Sequence, residues 1–455
     1  MSELTLDAIR DCMEGAVPAT IATSSPAGEP NAAYLSQVEY VDCSTLALSF
    51  QFFNQTRRNV LANPVARLIV THPRTGARYR LKVRYQRTET AGPLFERMKA
   101  KLAGIASHTG MGGIFRLQGS DVYAVEEIER IALPSLAAHG PRRNLLSAVR
   151  VSAQRLSGAC DIDALLECAL DCLRTQFDIH HAIILMHDAA NAKLYTVASI
   201  GYEDSGVGSE IPVGHGVVGV AARERAPIRI GHATAEYAYG RAMRDAAAAA
   251  GLALETEIPL PGLANSRSQL AVPIEAFGRL TGVLFADSDR DMRFGYDDED
   301  ALVALAGQLG TAIHVLQSAE PEGEVQPGAP GAATAAGARD PTFPATPLQV
   351  RHFAENDSVF LGEEYLIKGV AGAIFWALAQ DYAKAGRTLF TNRELRLDPR
   401  IRLPEISENL EARLILLQKR LDERSAGVRL EKAGRGRFRL AVARPIELAS
   451  IPAGR

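Results

Sequence analysis

Along the first third of the chain, apolar and polar positions alternate in short runs divided by turn residues. ATIATSS, AAYLSQVEYVD, STLALSFQFF, VARLIVTHP, ARYRLKVRYQR and DVYAVEEIERI carry the two-residue period of half-buried strands, with PAGEPN as a turn between the first two. Many short strands at that spacing predict a barrel or sandwich. Two stretches break the alternation with helical patterns, NQTRRNVLANP (54–64) and GPLFERMKAKLAGIAS (92–107). The middle third opens on two amphipathic helices, 143–158 and 161–177. It continues through strands HAIILMHD, KLYTVASIG, SQLAVPIEA and RLTGVLFADS, and closes on a helix over 297–316. The last third reads as short strands (VFLGEEYLIKG), a helix at 369–385, the segment TLFTNRELRLD, a mixed-charge helix at 404–424, and two strands around a Gly-Arg-Gly turn.

Composition divides these patterns into domains. From Ser318 to Pro347 the chain is rich in Pro, Gly and Ala and nearly free of large apolar side chains, so it cannot offset its ordering entropy and reads as a flexible linker. A weaker boundary falls near 132–141. The expected blocks are 1–135, 142–317, a linker at 318–347, and 348–447. At 455 residues, several cores are expected. A net charge of −3 with 23% charged residues gives no global pull toward nucleic acid or membrane. The N-terminus has no secretory pattern, no run approaches about 18 uninterrupted apolar residues, and five cysteines are a poor disulfide framework. The cytoplasm is the expected location, with no membrane partner.

In the middle block, IPVGHGVVGVAARERAPIRI (211–230) reads as a turn, a short helix and an edge strand, and SQLAVPIEAFGRLTGVLFADS (268–288) as a hairpin turning at Phe277-Gly278-Arg279. These segments resemble the GAF family of small-molecule sensor domains. The resemblance implies helices on one face of an antiparallel sheet and a ligand on the other. Gly216 opens the short helix, whose N–H groups can face an anion or carbonyl. Tyr237, Tyr239, Arg241 and Arg244 either contact that ligand or cover the sheet. His180, His181 and His187 lack metal-ligand spacing and read as half-exposed histidines. Cys168 and Cys172 read as helix packing rather than as a redox centre.

In the first block, VPATIATSSPAGEPNAAYLSQVEYVD and the following NQTRRNVLANP resemble the pyridoxamine-phosphate-oxidase-like, FMN-binding split barrel. A flavin phosphate needs helix N-terminal N–H groups with a guanidinium or hydroxyl. The resemblance assigns that role to Thr56, Arg57, Arg58 and Asn59, with Gln51 and Ser36 near the ring edge. The family's Arg-x-His signature is missing from SHTGMGGIFRLQGSDVYAVEEIERI, although His108 and Thr109 stand there.

In the last block, Thr391, Glu394 and Leu395, then Lys419, Arg420 and Leu421, then Gly436, Phe438, Arg439 and Leu440 are similar to the winged-helix effector domain of OmpR-type regulators. Between Arg393 and Leu440 thirteen basic residues stand against eight acidic ones, a local excess suited to DNA phosphates. Arg413, Lys419, Arg420, Lys432, Arg435 and Arg437 are the expected contacts. Glu405, Glu408 and Glu411 recur at helical spacing, which leaves a solvated or dimerising helix as the other reading.

The expected fold class is multi-domain α+β: a split β-barrel, a GAF α/β sandwich, then a winged helix after a disordered linker. The expected function is a one-component transcriptional regulator, a homodimer that binds a small-molecule ligand and FMN and contacts duplex DNA. The alternative is an FMN-dependent oxidoreductase regulated by its GAF domain.

Overall fold

The computed structural model describes residues 4–13, 17–35, 37–50, 55–108, 116–132, 143–232, 258–318, 347–401, 403, 410–425, 427–434 and 436–452. After a short 3₁₀ segment (Asp7–Met13) come β1 (Ala19–Ser24), β2 (Pro30–Leu35), β3 (Val38–Asp42) and β4 (Thr45–Phe50). Then follow α1 (Gln55–Ala62), β5 (Val65–Thr71), β6 (Arg78–Glu89), α2 (Pro93–His108) and β7 (Gly119–Ala132). The seven strands form one sheet in the order β2-β1-β5-β6-β7-β4-β3. Its two ends share a core, since Ile21 of β1 and Val38 of β3 join one buried cluster with Leu46, Leu68 and Leu81. The sheet therefore curls on itself, as the alternating pattern predicts.

The central domain holds α3 (Leu145–Leu156), α4 (Ile162–Phe177), β8 (His181–Asp188), β9 (Lys193–Ile200) and β10 (Glu210–Pro212). Next are α5 (Gly216–Glu224), β11 (Ile228–Ile230), β12 (Ser268–Ala276), β13 (Arg279–Ser288) and α6 (Tyr296–Ser318). The sheet order is β10-β9-β8-β13-β12-β11, every neighbour antiparallel. The β12–β13 hairpin turns where the sequence places it, with Phe277 at φ 50° and Gly278 at φ 74°. Asp161 caps α4 by accepting from the Ala164 amide, and Asp178 ends the helix in the left-handed conformation. Leu165, Leu166, Ala169, Leu173 and Phe177 of α4 face one side of the sheet with Leu302, Leu305 and Leu309 of α6. By length and composition α6 could cross a membrane, with a mean hydropathy of 1.3 in its most apolar window. Its buried stripe is instead part of this core.

The C-terminal domain contains β14 (Leu348–Phe353), β15 (Ser358–Leu361), β16 (Glu364–Ile367), α7 (Gly369–Ala385), β17 (Leu389–Thr391) and α8 (Asn392–Leu397). It ends with α9 (Leu410–Arg424), β18 (Val428–Lys432), β19 (Arg437–Val442) and β20 (Ile446–Ile451). One sheet runs β16-β15-β14-β20, with β20 parallel to β14, and a second runs β17-β19-β18. Thr391 and Glu394 form a reciprocal capping box at the start of α8.

The three domains pack together. The linker pattern implies a tethered third domain, yet one buried cluster runs from α4 and α6 of the central domain into Ile374, Phe375, Leu416, Leu417 and Leu421 of the C-terminal one. The linker residues 319–346 lie outside the described residues. On the other side, α2 of the barrel lies along α5, and its Ala100 joins the cluster of Ile183, Val220 and Phe285. Gly104 permits this approach, because a Cβ there would fall 2.2 Å from Cγ2 of Ile228. Arg74 donates to the Met292 carbonyl at 2.6 Å, and Tyr296 donates to the Met13 carbonyl at 3.1 Å.

Candidate functional site

The first turns of α1 carry the polar residues expected to hold a phosphate. Arg57 donates to Asp121 and, at 2.9 Å, to the Thr88 hydroxyl, with its guanidinium 4.1 Å from the centre of the Phe50 ring. Asn59 is buried, donating to Thr23 and accepting from Gln55 at 2.7 Å. Thr56 accepts from Asn31 at 2.9 Å. Arg58 is exposed and donates to Gln55 at 2.8 Å. Three of the four, Thr56, Arg57 and Asn59, are therefore bonded to barrel strands, and Thr56 keeps its hydroxyl proton. The set fits a phosphate through the Arg58 guanidinium and the Thr56 hydroxyl. Gln37, beside these segments in sequence, is 6% exposed, and its side-chain amide makes no hydrogen bond among the described residues. Gln51, Ser36 and Thr109 lie outside the described residues; His108 ends α2.

On the sheet face opposite α4 and α6, α5 and α2 cover Ile183, Leu185, Val283 and Phe285. Gly216 opens α5 at φ 62°, with open space where a Cβ would stand, and His215 supplies no side-chain cap. Tyr237, Tyr239, Arg241 and Arg244 lie outside the described residues, so the chain segment expected over this face is not part of the description. His180 pairs with Asp178 at 2.9 Å, and burial holds the His187 imidazole below its usual value. No cluster of His, Cys, Asp or Glu suited to a metal occurs among the described residues. A buried polar group that the sequence reading missed is Asp287, 3% exposed at the end of β13. It accepts from the Ser266 hydroxyl at 2.5 Å and the Leu263 amide at 3.2 Å. Burial outweighs these bonds and pushes its carboxyl above the ordinary aspartate value.

Most of the residues expected on DNA meet the central domain instead. Arg413, 5% exposed on α9, donates to Asp188 of β8 at 2.6 Å, and its guanidinium lies 3.7 Å from the Tyr195 ring centre. The same carboxylate accepts from the amide and side chain of Asn191 at 3.1 and 3.0 Å. Arg420 is buried, donating to the Leu366 carbonyl at 3.1 Å and to Glu423 at 2.7 Å; Glu423 in turn accepts from Ser205 of the central domain. Lys419 is 3.8 Å from Asp163, and Lys432 is 3.1 Å from Asp161 and 3.7 Å from Asp163, both at the start of α4. Four of the six expected DNA contacts thus lie at or beneath the seam between the C-terminal and central domains. Arg437 is exposed and makes no ion pair among the described residues, and Arg435 lies outside them. Of the three glutamates at helical spacing, Glu411 sits in the first turn of α9 and Glu405 and Glu408 lie outside the described residues.

Residues 161–313 match the GAF domain family, and residues 5–125 match the pyridoxamine 5'-phosphate oxidase family. The centre of the chain is a GAF domain. Its partner on the N-terminal side has the split-barrel fold of the oxidase family. Among solved structures, the GAF domain of an Acinetobacter phosphoenolpyruvate-protein phosphotransferase is 19% identical, with a TM-score of 0.32 over 40% of this chain and 100% of that one. An FMN-binding protein from Syntrophomonas wolfei subsp. wolfei is 19% identical, with a TM-score of 0.25 over 28% of this chain and 86% of that one. The free methionine-R-sulfoxide reductase of Neisseria meningitidis is 20% identical, with a TM-score of 0.31 over 40% and 98%. No curated protein sequence matches the chain. The GAF domain is thus the middle of three packed units, bound by α2 on one side and by α9 on the other.

Proposed function

We propose that the chain is a ligand-responsive transcriptional regulator in which the GAF domain holds a winged-helix output domain in a docked state. The observation that carries this reading is the buried Arg413–Asp188 pair, which joins the helix expected to meet DNA to a strand of the sensor sheet. The order α7, β17, α8, α9 and the β18–β19 hairpin, with β17 added to that hairpin, supports the winged-helix reading. In the docked state Asp188, Asp163 and Asp161 take the places that phosphates would take on Arg413, Lys419 and Lys432. A small-molecule ligand of the GAF domain would then act by shifting the docking equilibrium, provided it binds one of the two states better.

In the same reading the split barrel contributes an FMN site, with Thr56 and Arg58 on the phosphate. Two copies of the chain would pair through α3 and α6, whose Leu146, Val303 and Val315 are 81%, 42% and 54% exposed. The deciding experiment titrates the full chain and Asp188→Ala with a library of duplex DNA at low and moderate salt. The variant is expected to bind at least tenfold tighter than the parent, with an affinity that falls steeply with salt. Absence of salt-sensitive binding by both proteins overturns the DNA reading.

A further inference from the structure

The seam between the GAF and C-terminal domains holds a partly open cavity of about 640 Å³. That is within the roughly 300–1,000 Å³ of small-molecule sites, which favour domain interfaces. Its apolar wall is built from both sides: Ile162 and Leu316 from the GAF helices, and Leu414, Ile415, Leu430 and Phe438 from the C-terminal domain. Ile415, Leu430 and Phe438 are buried, and Leu414 and Leu316 are half-buried, so the apolar wall reaches from the packed interior to the mouth. Charge is placed at the rim. Among the described residues Asp161, Asp163, Glu411 and Glu431 line it, against Lys432, Arg437 and, beside Asp163, Lys419, so carboxylates outnumber cations there. Lys432 is shared between Asp161 and Asp163, and among the described residues the buried Oδ1 of Asp163 accepts no hydrogen bond and has Lys419 at 3.8 Å. A buried carboxylate oxygen without a donor is costly, and a ligand that brings one is favoured.

We infer that this cavity is a binding site for a small amphipathic cation, an aromatic or branched apolar body carrying one protonated amine. The body would occupy the apolar wall and the ammonium would donate to Asp163 and Asp161, competing with Lys432 for the two carboxylates. An anion would meet the carboxylate excess, and a neutral apolar molecule would leave Asp163 Oδ1 without a donor. The inference does not depend on what the C-terminal domain binds.

The test is calorimetric titration of the full chain with phenethylamine, phenethyl alcohol and phenylacetate, three probes of similar body and different charge. Phenethylamine is expected to bind saturably at one site per chain, at least tenfold tighter than the alcohol or the acid. Asp163→Asn should weaken it at least fivefold, and Leu414→Trp, which fills the cavity, should abolish it. If Leu414→Trp does not fold, Asp163→Asn decides alone. Absence of saturable phenethylamine binding, equal affinity for amine and alcohol, or affinity unchanged in Asp163→Asn would each overturn the assignment.

Discussion

Arg413→Ala tests whether the seam is held by its buried ion pair. In the docked state Asp188 would keep only its bonds to Asn191, in a site where the two side chains are 6% and 9% exposed. In the undocked state the same carboxylate regains water. Removing one partner of a buried pair costs about 3–5 kcal/mol, because the remaining charge is left uncompensated. The loss of guanidinium stacking on Tyr195, 3.7 Å away, acts in the same direction. At about 1.4 kcal/mol per factor of ten, the docking equilibrium should shift by roughly two to four orders of magnitude. Native-state hydrogen exchange of the α9 amides reads this directly, as faster exchange without a change in the barrel strands. A double-mutant cycle with Asp188→Asn separates the pair from general repacking. A coupling below about 0.5 kcal/mol, the size of an exposed pair, or unchanged α9 exchange would refute the reasoning. The pH dependence gives a second reading of the same pair. Burial pushes the Asp188 carboxyl up, but Asn191 and Arg413 outweigh it and hold the group below its ordinary value. A depressed carboxylate stabilises the docked state above its undocked value, near 3.9 for an aspartate, and that stability is lost as pH falls through the docked value. Protection of the α9 amides, taken relative to their intrinsic exchange rates, should therefore be flat from neutral pH down to that range and fall below it, and the fall should be absent in Asp188→Asn.

Three further outcomes follow from other contacts. Gly104→Val drives a side chain into Ile228, where even a Cβ falls 2.2 Å from Cγ2; overpacking should cost about 1–3 kcal/mol, seen as a lower denaturation midpoint, and an unchanged midpoint would show that α2 does not pack there in solution. Arg57→Ala should destabilise the barrel by about 3 kcal/mol by leaving Asp121 buried without its cation. Arg58→Ala should change stability by less than about 0.5 kcal/mol yet weaken FMN binding in a fluorescence titration; equal stability losses in the two variants would contradict the division of roles. Asp287 is held above its ordinary value by burial, so the folded GAF domain binds that proton more tightly than the unfolded chain. Its contribution to stability falls as pH rises from the ordinary aspartate value through the raised one. Asp287→Asn should remove that slope from denaturation midpoints measured across mildly acidic pH, and a slope that survives assigns it to another group.

What the sequence made legible, and what it did not, divides along one physical line. Elements whose burial is set within their own domain were readable. The period-two runs became β1–β7, and the stripe of α4 became the GAF core. The helix expected at 369–385 is α7, over Gly369–Ala385. Contacts between domains were not readable in the same way, because a charge count registers how many cations a segment carries but not which carboxylates meet them. The thirteen basic residues between Arg393 and Leu440 suggested a free face. Four of the six residues singled out for DNA instead lie at or beneath the seam, two of them, Arg413 and Arg420, buried. The spacing held a signal for this. Leu410, Arg413, Leu417 and Arg420 follow one another at three and four residues, so both arginines fall within the apolar stripe of α9 rather than on its solvent side. An arginine in such a stripe must be paired when it is buried, and a long helix that places two of them there is built to face another folded surface. The flavin segment shows the converse. Thr-Arg-Arg-Asn has the residue types a phosphate needs, but Arg57 and Asn59 are already bonded to Asp121 and Thr23 across the barrel. Asp121 lies sixty-four residues further along the chain from Arg57, in another strand. The local motif therefore states a chemistry, and the long-range partners decide how much of it is left for a ligand.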